Sequence, residues 1–278
     1  MPDVTRKILV VDDDPALCLY LWHALKSPEV SVTTCANGQD ASRLLSEQTF
    51  DVVLLDIALP DINGLDLLRQ FRDSSTKFII ITGDTTSETL MRAVRENAWS
   101  YARKPFGPEE IRELVKSALH AKPQPAIEVI SAKPEWFELS IPCSLGAADR
   151  IQHLMRQIKM DLPDEVRDGV CQAFRELLLN AVEWGGGLDP ARRVRVSCLR
   201  TRRMLQYRIA DPGPGFRFEE LAHAAVANAP GDACSHDTVR EAQGLRPGGF
   251  GILMARATAD ELLYNEAQNE VVLIKYLD

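Results

Sequence analysis

The sequence predicts an α/β chain in two parts, a doubly wound five-stranded parallel sheet followed by an α+β two-layer sandwich. Two observations carry this. Over residues 1–121 short apolar runs alternate with helical patterns through five βα units, the sign of a parallel sheet covered on both faces. Beyond residue 134 one strand precedes two helices, and later strands come in pairs around turns. Helices and hairpins are then segregated, as in an α+β fold.

In the first part the strands read near 7–11, 30–35, 51–56, 78–82 and 100–103, and the helices near 15–26, 38–47, 64–72, 86–97 and 108–120. Asp14-Pro15 is an N-cap followed by proline at the first helical position. Residues 122–134 carry prolines and lose periodicity, which predicts a linker. The second part, 135–278, reads as a strand at 137–141, helices near 146–160 and 164–184, and strands at 194–199 and 205–210 around the turn R-T-R-R. An irregular segment at 216–247, with a short helix expected at 218–228, leads to a helix at 251–259 and strands at 261–265 and 270–276.

A chain of 278 residues is long enough for about two domains. The net charge of −8 argues against nucleic-acid binding through a basic surface. No apolar stretch approaches the roughly 20 residues that span a bilayer, so no membrane partner is expected. The start, M-P-D-V-T-R-K, lacks an apolar leader core. Cys18, Cys35, Cys143, Cys171, Cys198 and Cys234 include no C-x-x-C pair and read as reduced thiols of a cytoplasmic protein.

Asp12, Asp13, Asp56, Thr82 and Lys104 each follow or end an apolar run. In an open parallel sheet such ends converge on the ligand crevice. Clustered carboxylates repel and need a cation, and Mg2+ takes carboxylate oxygens while leaving room for a phosphate oxygen. Asp56, ending the central strand, is the candidate phosphoryl acceptor. Asp12 and Asp13 are candidate metal ligands, Lys104 a fixed charge and Thr82 a hydroxyl donor to the phosphoryl group. Taken singly, Asp12 or Asp14 reads as a helix cap, Asp56 as a turn former and Lys104 as a solvated lysine.

With D-D at 12–13, L-L-D-I-A-L-P-D-I-N-G around Asp56, I-T-G at 81–83 and K-P-F at 104–106, residues 5–121 resemble the response-regulator receiver family. The resemblance implies Mg2+ on the acidic pair, on Asp56 and on the Ala58 carbonyl. It also implies phosphorylation of Asp56 by an upstream histidine kinase, and a switch in which Thr82 is drawn in and Tyr101 turns inward. Tyr101 alone reads equally as half-buried strand packing.

Three motifs stand in order in the second part. In F-R-E-L-L-L-N-A-V-E-W-G-G-G, Glu176 and Asn180 are four apart and share a helical face. D-P-G-P-G at 211–215 places a carboxylate at a strand end, where it can accept from an exocyclic amine, and Gly213 and Gly215 let a ligand near the backbone. R-P-G-G-F-G at 246–251 opens a helix whose N–H groups suit an anion. Over about 136–278 this order resembles the Bergerat-type ATP-binding fold and, more narrowly, the anti-sigma-factor serine kinase family. The resemblance implies Asn180 on the Mg2+ of Mg-ATP, Glu176 as general base, Asp211 on the adenine amine, and Gly249 and Gly251 at the phosphates. Trp184 departs from the histidine common in that family, and 216–247 is long for a linking segment.

His120, His153, His223 and His236 lie in no phosphoacceptor box, and the span between the two parts is short for a dimerising helical hairpin, which disfavours a hybrid histidine kinase. Arg192, Arg193, Arg195, Arg200, Arg202 and Arg203 form a basic run, either a solvated hairpin face or a docking patch for an acidic partner. The functional expectation is a two-component response regulator whose Asp56 controls an ATP-binding output. That output would phosphorylate a serine or threonine of an anti-sigma antagonist-type protein, sequester a sigma factor, or both. The alternative is a binding module that grips its partner without transfer. A homodimer is a further expectation of the resemblance.

Overall fold

The computed structural model describes residues 5–84, 86–121, 125–157, 163–217, 241–242 and 250–277. The chain forms two compact units, each with its own sheet.

The first unit runs β1 (Arg6–Val11), α1 (Pro15–Leu25), β2 (Val30–Cys35), α2 (Gly38–Glu47), β3 (Val52–Asp56), α3 (Gly64–Phe71), β4 (Lys77–Thr82), α4 (Ser87–Arg95), β5 (Ser100–Arg103) and α5 (Pro108–His120). Its five strands are parallel in the order β2-β1-β3-β4-β5. Ile8–Val11 and Val52–Leu55 are wholly buried, which is why they read as unbroken apolar runs and not as alternating strands. Ile8, Val10, Val52, Leu54, Ile79 and Ile81 pack with Leu21 and Leu25 of α1 and Ile111 and Val115 of α5. Leu9, Val11, Val53, Leu55 and Ile80 are buried on the opposite face.

Local chemistry sets the helix starts. The side chains of Asp14, Asn37 and Asn63 accept from the amides of Ala16, Asp40 and Leu65 at 2.8, 2.8 and 2.9 Å, each cap contributing about 1 kcal/mol. Because β1 connects outward to β2 while β3 lies on its other side, the strand order reverses between β1 and β3. The crevice at the carboxyl ends of these two strands is therefore the expected ligand position.

The second unit runs β6 (Glu128–Lys133), β7 (Trp136–Pro142), α6 (Leu145–Gln157), α7 (Asp164–Asn180), a π-turn (Ala181–Gly185), β8 (Arg193–Arg200), β9 (Met204–Ala210), α8 (Gly251–Thr258), β10 (Glu261–Tyr264) and β11 (Glu270–Tyr276). Its sheet is antiparallel throughout, in the order β10-β11-β9-β8-β7-β6. Alternate residues, among them Leu139, Val196, Tyr207 and Leu273, are buried. Phe174 of α7 meets Tyr207 with ring centroids 4.7 Å apart.

The outward residues of this sheet carry a ladder of charge. Arg195 pairs with Glu138 at 2.6 Å, Arg193 with Glu128 at 3.1 Å, and Arg208 with Glu270 through two bonds of 2.7 Å. The basic run is thus partly neutralised across the strands, which weakens its reading as a patch for an acidic partner.

Two sequence expectations need correction. The segment 122–134, expected as a linker, contains β6, which pairs with β7. A bulge between Val129 and Ser131 shifts the register there and removes the two-residue alternation that would have marked a strand. The helix expected to reach residue 184 leaves α-helical bonding after Asn180, and the Gly186 amide donates to the Ala181 carbonyl at 2.8 Å. Such π-turns often lie at functional sites. Gly186 packs so closely on Cys143 that a Cβ would stand 2.3 Å from its Sγ.

The cysteines among the described residues, Cys18, Cys35, Cys143, Cys171 and Cys198, are free thiols. Cys234 and the short helix expected at 218–228 lie outside the described residues. Among those residues no helix is long and apolar enough to cross a membrane.

Gly64 ties the fold to the first site. A Cβ there would stand 2.1 Å from the backbone oxygen of Asp56, and neither backbone can give way without moving β3 or α3. Gly64→Ala is expected to destabilise the first unit by about 3 kcal/mol or more. Urea unfolding followed by circular dichroism checks this, and a loss below about 1 kcal/mol would mean that the loop adapts.

Candidate functional site

Three carboxylates gather in the crevice between β1 and β3. Oxygens of Asp12, Asp13 and Asp56 lie within 4.8 Å of one another. Asp12 and Asp56 are buried, whereas Asp13 is exposed. The Asp12 amide donates to the Cys35 carbonyl at 3.1 Å, which extends the β1–β2 ladder up to the site. Its Oδ1 accepts from the Asp14 amide at 3.0 Å.

Lys104 enters from the end of β5, where its amide donates to the Thr82 carbonyl at 2.9 Å. Its Nζ lies 2.7 Å from Asp12 Oδ2 and 2.8 Å from Asp56 Oδ2. Burial pushes the Asp12 carboxyl up from its ordinary value, against the lowering pull of Lys104 and the Asp14 amide. Burial alone would lower Lys104, but its hydrogen bonds to Asp12 and Asp56 leave it raised. Three carboxylates against one ammonium leave surplus negative charge, and a set of hard oxygen donors of this kind fits Mg2+.

Thr82 is buried beside the crevice, and its Oγ1 accepts from the Asp84 amide at 3.0 Å. Ala58 bridges to Asn63 in the β3–α3 loop, and Asp61 of the same loop accepts from the Gly38 and Gln39 amides, both at 2.8 Å. These hydrogen bonds bind the loop to the start of α2, a role that D-I-N-G did not announce. The structure departs from the expectation for Tyr101. Its side chain is already buried, 4% exposed, and its hydroxyl donates to the Leu90 carbonyl of α4 at 3.4 Å. An inward turn is therefore not a movement that phosphorylation has to bring about from this state.

The second unit has a cavity of about 290 Å³ whose walls include Glu176, Asn180, Trp184, Asp211, Gly215 and Gly251. Four of its walls come from separate stretches of sequence, namely the end of α7 with its π-turn, the turn after β9, the start of α8, and the β10–β11 hairpin. Leu177, Ile209, Ile252 and Val271 supply apolar surface between the polar groups, the mixture typical of small-molecule sites.

Asp211 is packed between glycines. A Cβ at Gly185 would lie 2.1 Å from its Cγ, and one at Gly213 2.7 Å from its Oδ1. Burial pushes its carboxyl up, while the Gly213 amide at 2.7 Å and the Arg192 charge pull it down. Gly213 thus spends its N–H on Asp211 and is not among the residues lining the cavity. Gly215 has φ +85°, and a Cβ there would lie 1.6 Å from the Ala267 carbonyl oxygen, so only glycine fits. Asn269, unmarked in the sequence, holds the same turn through its Nδ2 to the Gly213 carbonyl at 3.0 Å.

Glu176 stands against the start of α8, where a Cβ on Gly251 would come 3.1 Å from its Oε2. Its Oε1 pairs with the Arg175 guanidinium at 3.1 Å, and Arg175 is itself anchored to Gln152 of α6 at 2.8 Å. Side chains at successive helix positions seldom face one another, so spacing does not announce this pair. Trp184 is 49% exposed at the cavity wall. Gly249, expected at the phosphates, lies outside the described residues, as does most of 216–247.

Residues 8–116 match the family described as response regulator receiver domain, and residues 142–275 match the histidine kinase-like ATPase domain. Among curated proteins, the chain is 29% identical over 187 residues to the DNA-binding response regulator MtrA of Mycolicibacterium smegmatis, covering 66% of this chain and 81% of that protein. It is 28% identical over 160 residues to the transcriptional regulatory protein ZraR of Salmonella typhimurium, covering 57% of this chain but only 35% of that protein. A CheY-like receiver domain protein from Methanospirillum hungatei is 28% identical with a TM-score of 0.40, covering 41% of this chain and 93% of that one. TrrA from Thermotoga maritima, solved with Mg(2+)-BeF, is 30% identical with a TM-score of 0.38, covering 41% of this chain and 99% of that one. The chain carries a response regulator receiver domain over residues 8–116, followed by a histidine kinase-like ATPase domain over residues 142–275.

Proposed function

We propose that the chain is a phosphorylation-controlled switch with a nucleotide-dependent output, in which an upstream histidine kinase phosphorylates Asp56. The observation that carries the first half is the approach of Lys104 Nζ to both Asp12 Oδ2 and Asp56 Oδ2, at 2.7 and 2.8 Å, inside a cluster of three carboxylates. Asp12, Asp13, Asp56 and the Ala58 carbonyl would hold Mg2+, which supplies neutralising charge to the phosphoryl oxygens when bound. The Asp56 carboxylate would attack the phosphorus of a phosphohistidine on that kinase, the P–N bond breaking and the imidazole leaving, while Lys104 stays beside the acquired charge and the Thr82 hydroxyl donates to a phosphoryl oxygen. Because Tyr101 is already inward, the switch in this reading runs through Thr82 and the Asp84 amide that donates to it.

In the second unit Asp211 would accept from the adenine amine, Asn180 would hold the Mg2+ of Mg-ATP, and Gly251 would offer its backbone to the phosphates. Glu176 would take the proton of a serine or threonine hydroxyl, on a protein of the anti-sigma antagonist type, as that oxygen attacks the γ-phosphorus of ATP, the bond to the β-phosphate breaks and ADP leaves. What supports this reading is that Glu176, Asn180, Asp211 and Gly251 line one cavity although 75 residues separate the first from the last. A second reading is favoured by one contact, the Arg175–Glu176 pair. With Oε1 engaged by that guanidinium the carboxylate is not free to meet a substrate hydroxyl, and the cavity would then bind nucleotide and present a partner surface without transfer.

Two outcomes are expected. The first concerns Asp12. A carboxyl whose folded pKa lies above its unfolded value favours folding at pH below the ordinary carboxylate range, and that contribution is lost as pH rises through the folded value. At neutral pH ionised Asp12 therefore costs stability. Asp12→Asn is expected to raise the thermal midpoint of the first unit, while Mg2+ at about ten times its Kd stabilises the unsubstituted protein by about 1.4 kcal/mol and the variant much less. Calorimetry at pH 7 with and without Mg2+ checks both signs.

The second concerns transfer. The full-length protein, given labelled ATP and co-purifying partners with and without beryllofluoride, is expected to label a serine or threonine of a partner. Glu176→Ala should lower this about 10²-fold or more with ATP binding retained. Binding without labelling in the unsubstituted protein would select the second reading.

A further inference from the structure

We infer that Arg192 is a positioning residue for the base end of the nucleotide cavity, a staple that joins the glycine turn after α7 to the turn after β9 and so fixes the Asp211 side chain between them. This rests on the nucleotide reading of the cavity and assigns a function to one member of the basic run that the charge ladder does not absorb.

Arg192 Nη2 donates to the Pro212 carbonyl at 2.6 Å, and Nη1 donates to the Gly186 carbonyl at 3.4 Å. Its backbone is held as well. The Arg192 amide donates to the Asp189 carbonyl and its carbonyl accepts from the Cys143 amide, both at 3.0 Å. The two carbonyls it grips belong to the turns that pinch Asp211. Gly186 follows Gly185, whose Cβ position would fall 2.1 Å from Asp211 Cγ, and Pro212 follows Asp211 itself. The spacing of those turns sets where the carboxylate points, and one planar fork spans them. A guanidinium presents several donors in a fixed plane, whereas an ammonium presents a compact point charge, so lysine cannot reproduce the fork.

The charge of Arg192 acts on the same group. Burial raises the Asp211 carboxyl, and the Gly213 amide and Arg192 oppose it. The Cys143 thiol lies near the two from the end of β7 and is itself pushed up by burial. Glu183 and Glu270 stand in the cavity wall. An ionised carboxylate is the stronger acceptor for an exocyclic amine. Loss of Arg192 therefore removes both the alignment and part of the bias that keeps the acceptor ionised.

The test is calorimetric titration of the full chain with Mg-ATP and with the triphosphate of unsubstituted purine riboside, which lacks the exocyclic amine, between about pH 5 and 8. The unsubstituted protein should prefer ATP. Arg192→Met should weaken ATP binding about tenfold, the scale of one misaligned hydrogen bond to the base. It should also erase the preference over the purine analogue and move the acid limb of ATP binding to higher pH. Arg192→Lys should return the acid limb to its original position with the preference still reduced, and Asp211→Asn should abolish both the preference and the limb.

If Arg192→Met keeps the affinity, preference and acid limb of the unsubstituted protein while Asp211→Asn loses them, the staple is wrong and the nucleotide reading stands. If the unsubstituted protein binds neither triphosphate, both fall. Circular dichroism reports folding, and should the methionine variant not fold, a lysine variant with undiminished ATP preference overturns the inference by itself.

Discussion

Two buried carboxylates share one ammonium at the carboxyl end of the parallel sheet, and the first unit is arranged around that constraint. Asp12 and Asp56 would repel at this separation without Lys104, whose Nζ lies within 2.8 Å of each. The strand order puts β1 beside β3, so the two acids must meet. The parallel register carries β5 to the point from which Lys104 reaches both. The apolar strands beneath deny these groups water, which makes each charge costly and each compensating contact strong. Three carboxylates against one ammonium leave the electrostatic balance of the site incomplete.

The second unit sets a related problem in an antiparallel frame. Asp211 also follows a strand and is also raised by burial, but its surroundings are glycines and backbone amides with a guanidinium behind them. Close backbone approach replaces the paired cation, which is why Gly185, Gly213 and Gly215 each stand where a Cβ would collide. The π-turn after Asn180 belongs to the same arrangement. It lets α7 end against the β9 turn while leaving Glu176 and Asn180 on the cavity wall.

Much of this was legible in the chain. The five parallel strands follow from unbroken apolar runs such as V-V-L-L before Asp56, and their ends named the acidic site directly. Glu176 and Asn180 were placed on one face by their spacing alone. What escaped was structure without a period or a local cue. β6 carries a bulge that cancels its alternation. The inward Tyr101 depends on the room between β5 and α4, which no spacing records. Arg175, Arg192 and Asn269 act through carbonyls or carboxylates distant in sequence or on an unexpected face, and an arginine-rich hairpin reads as a solvated surface until its partners are seen.

The most direct measurement is mass spectrometry of the protein after incubation with acetyl phosphate in the presence of Mg2+ or of a chelator. The expected result is a single phosphoryl adduct on the peptide containing Asp56, dependent on the metal and absent from Asp56→Asn. An adduct that forms equally with the chelator, or that persists in Asp56→Asn, would contradict the proposal that the three carboxylates and Lys104 form one metal-assisted acceptor site.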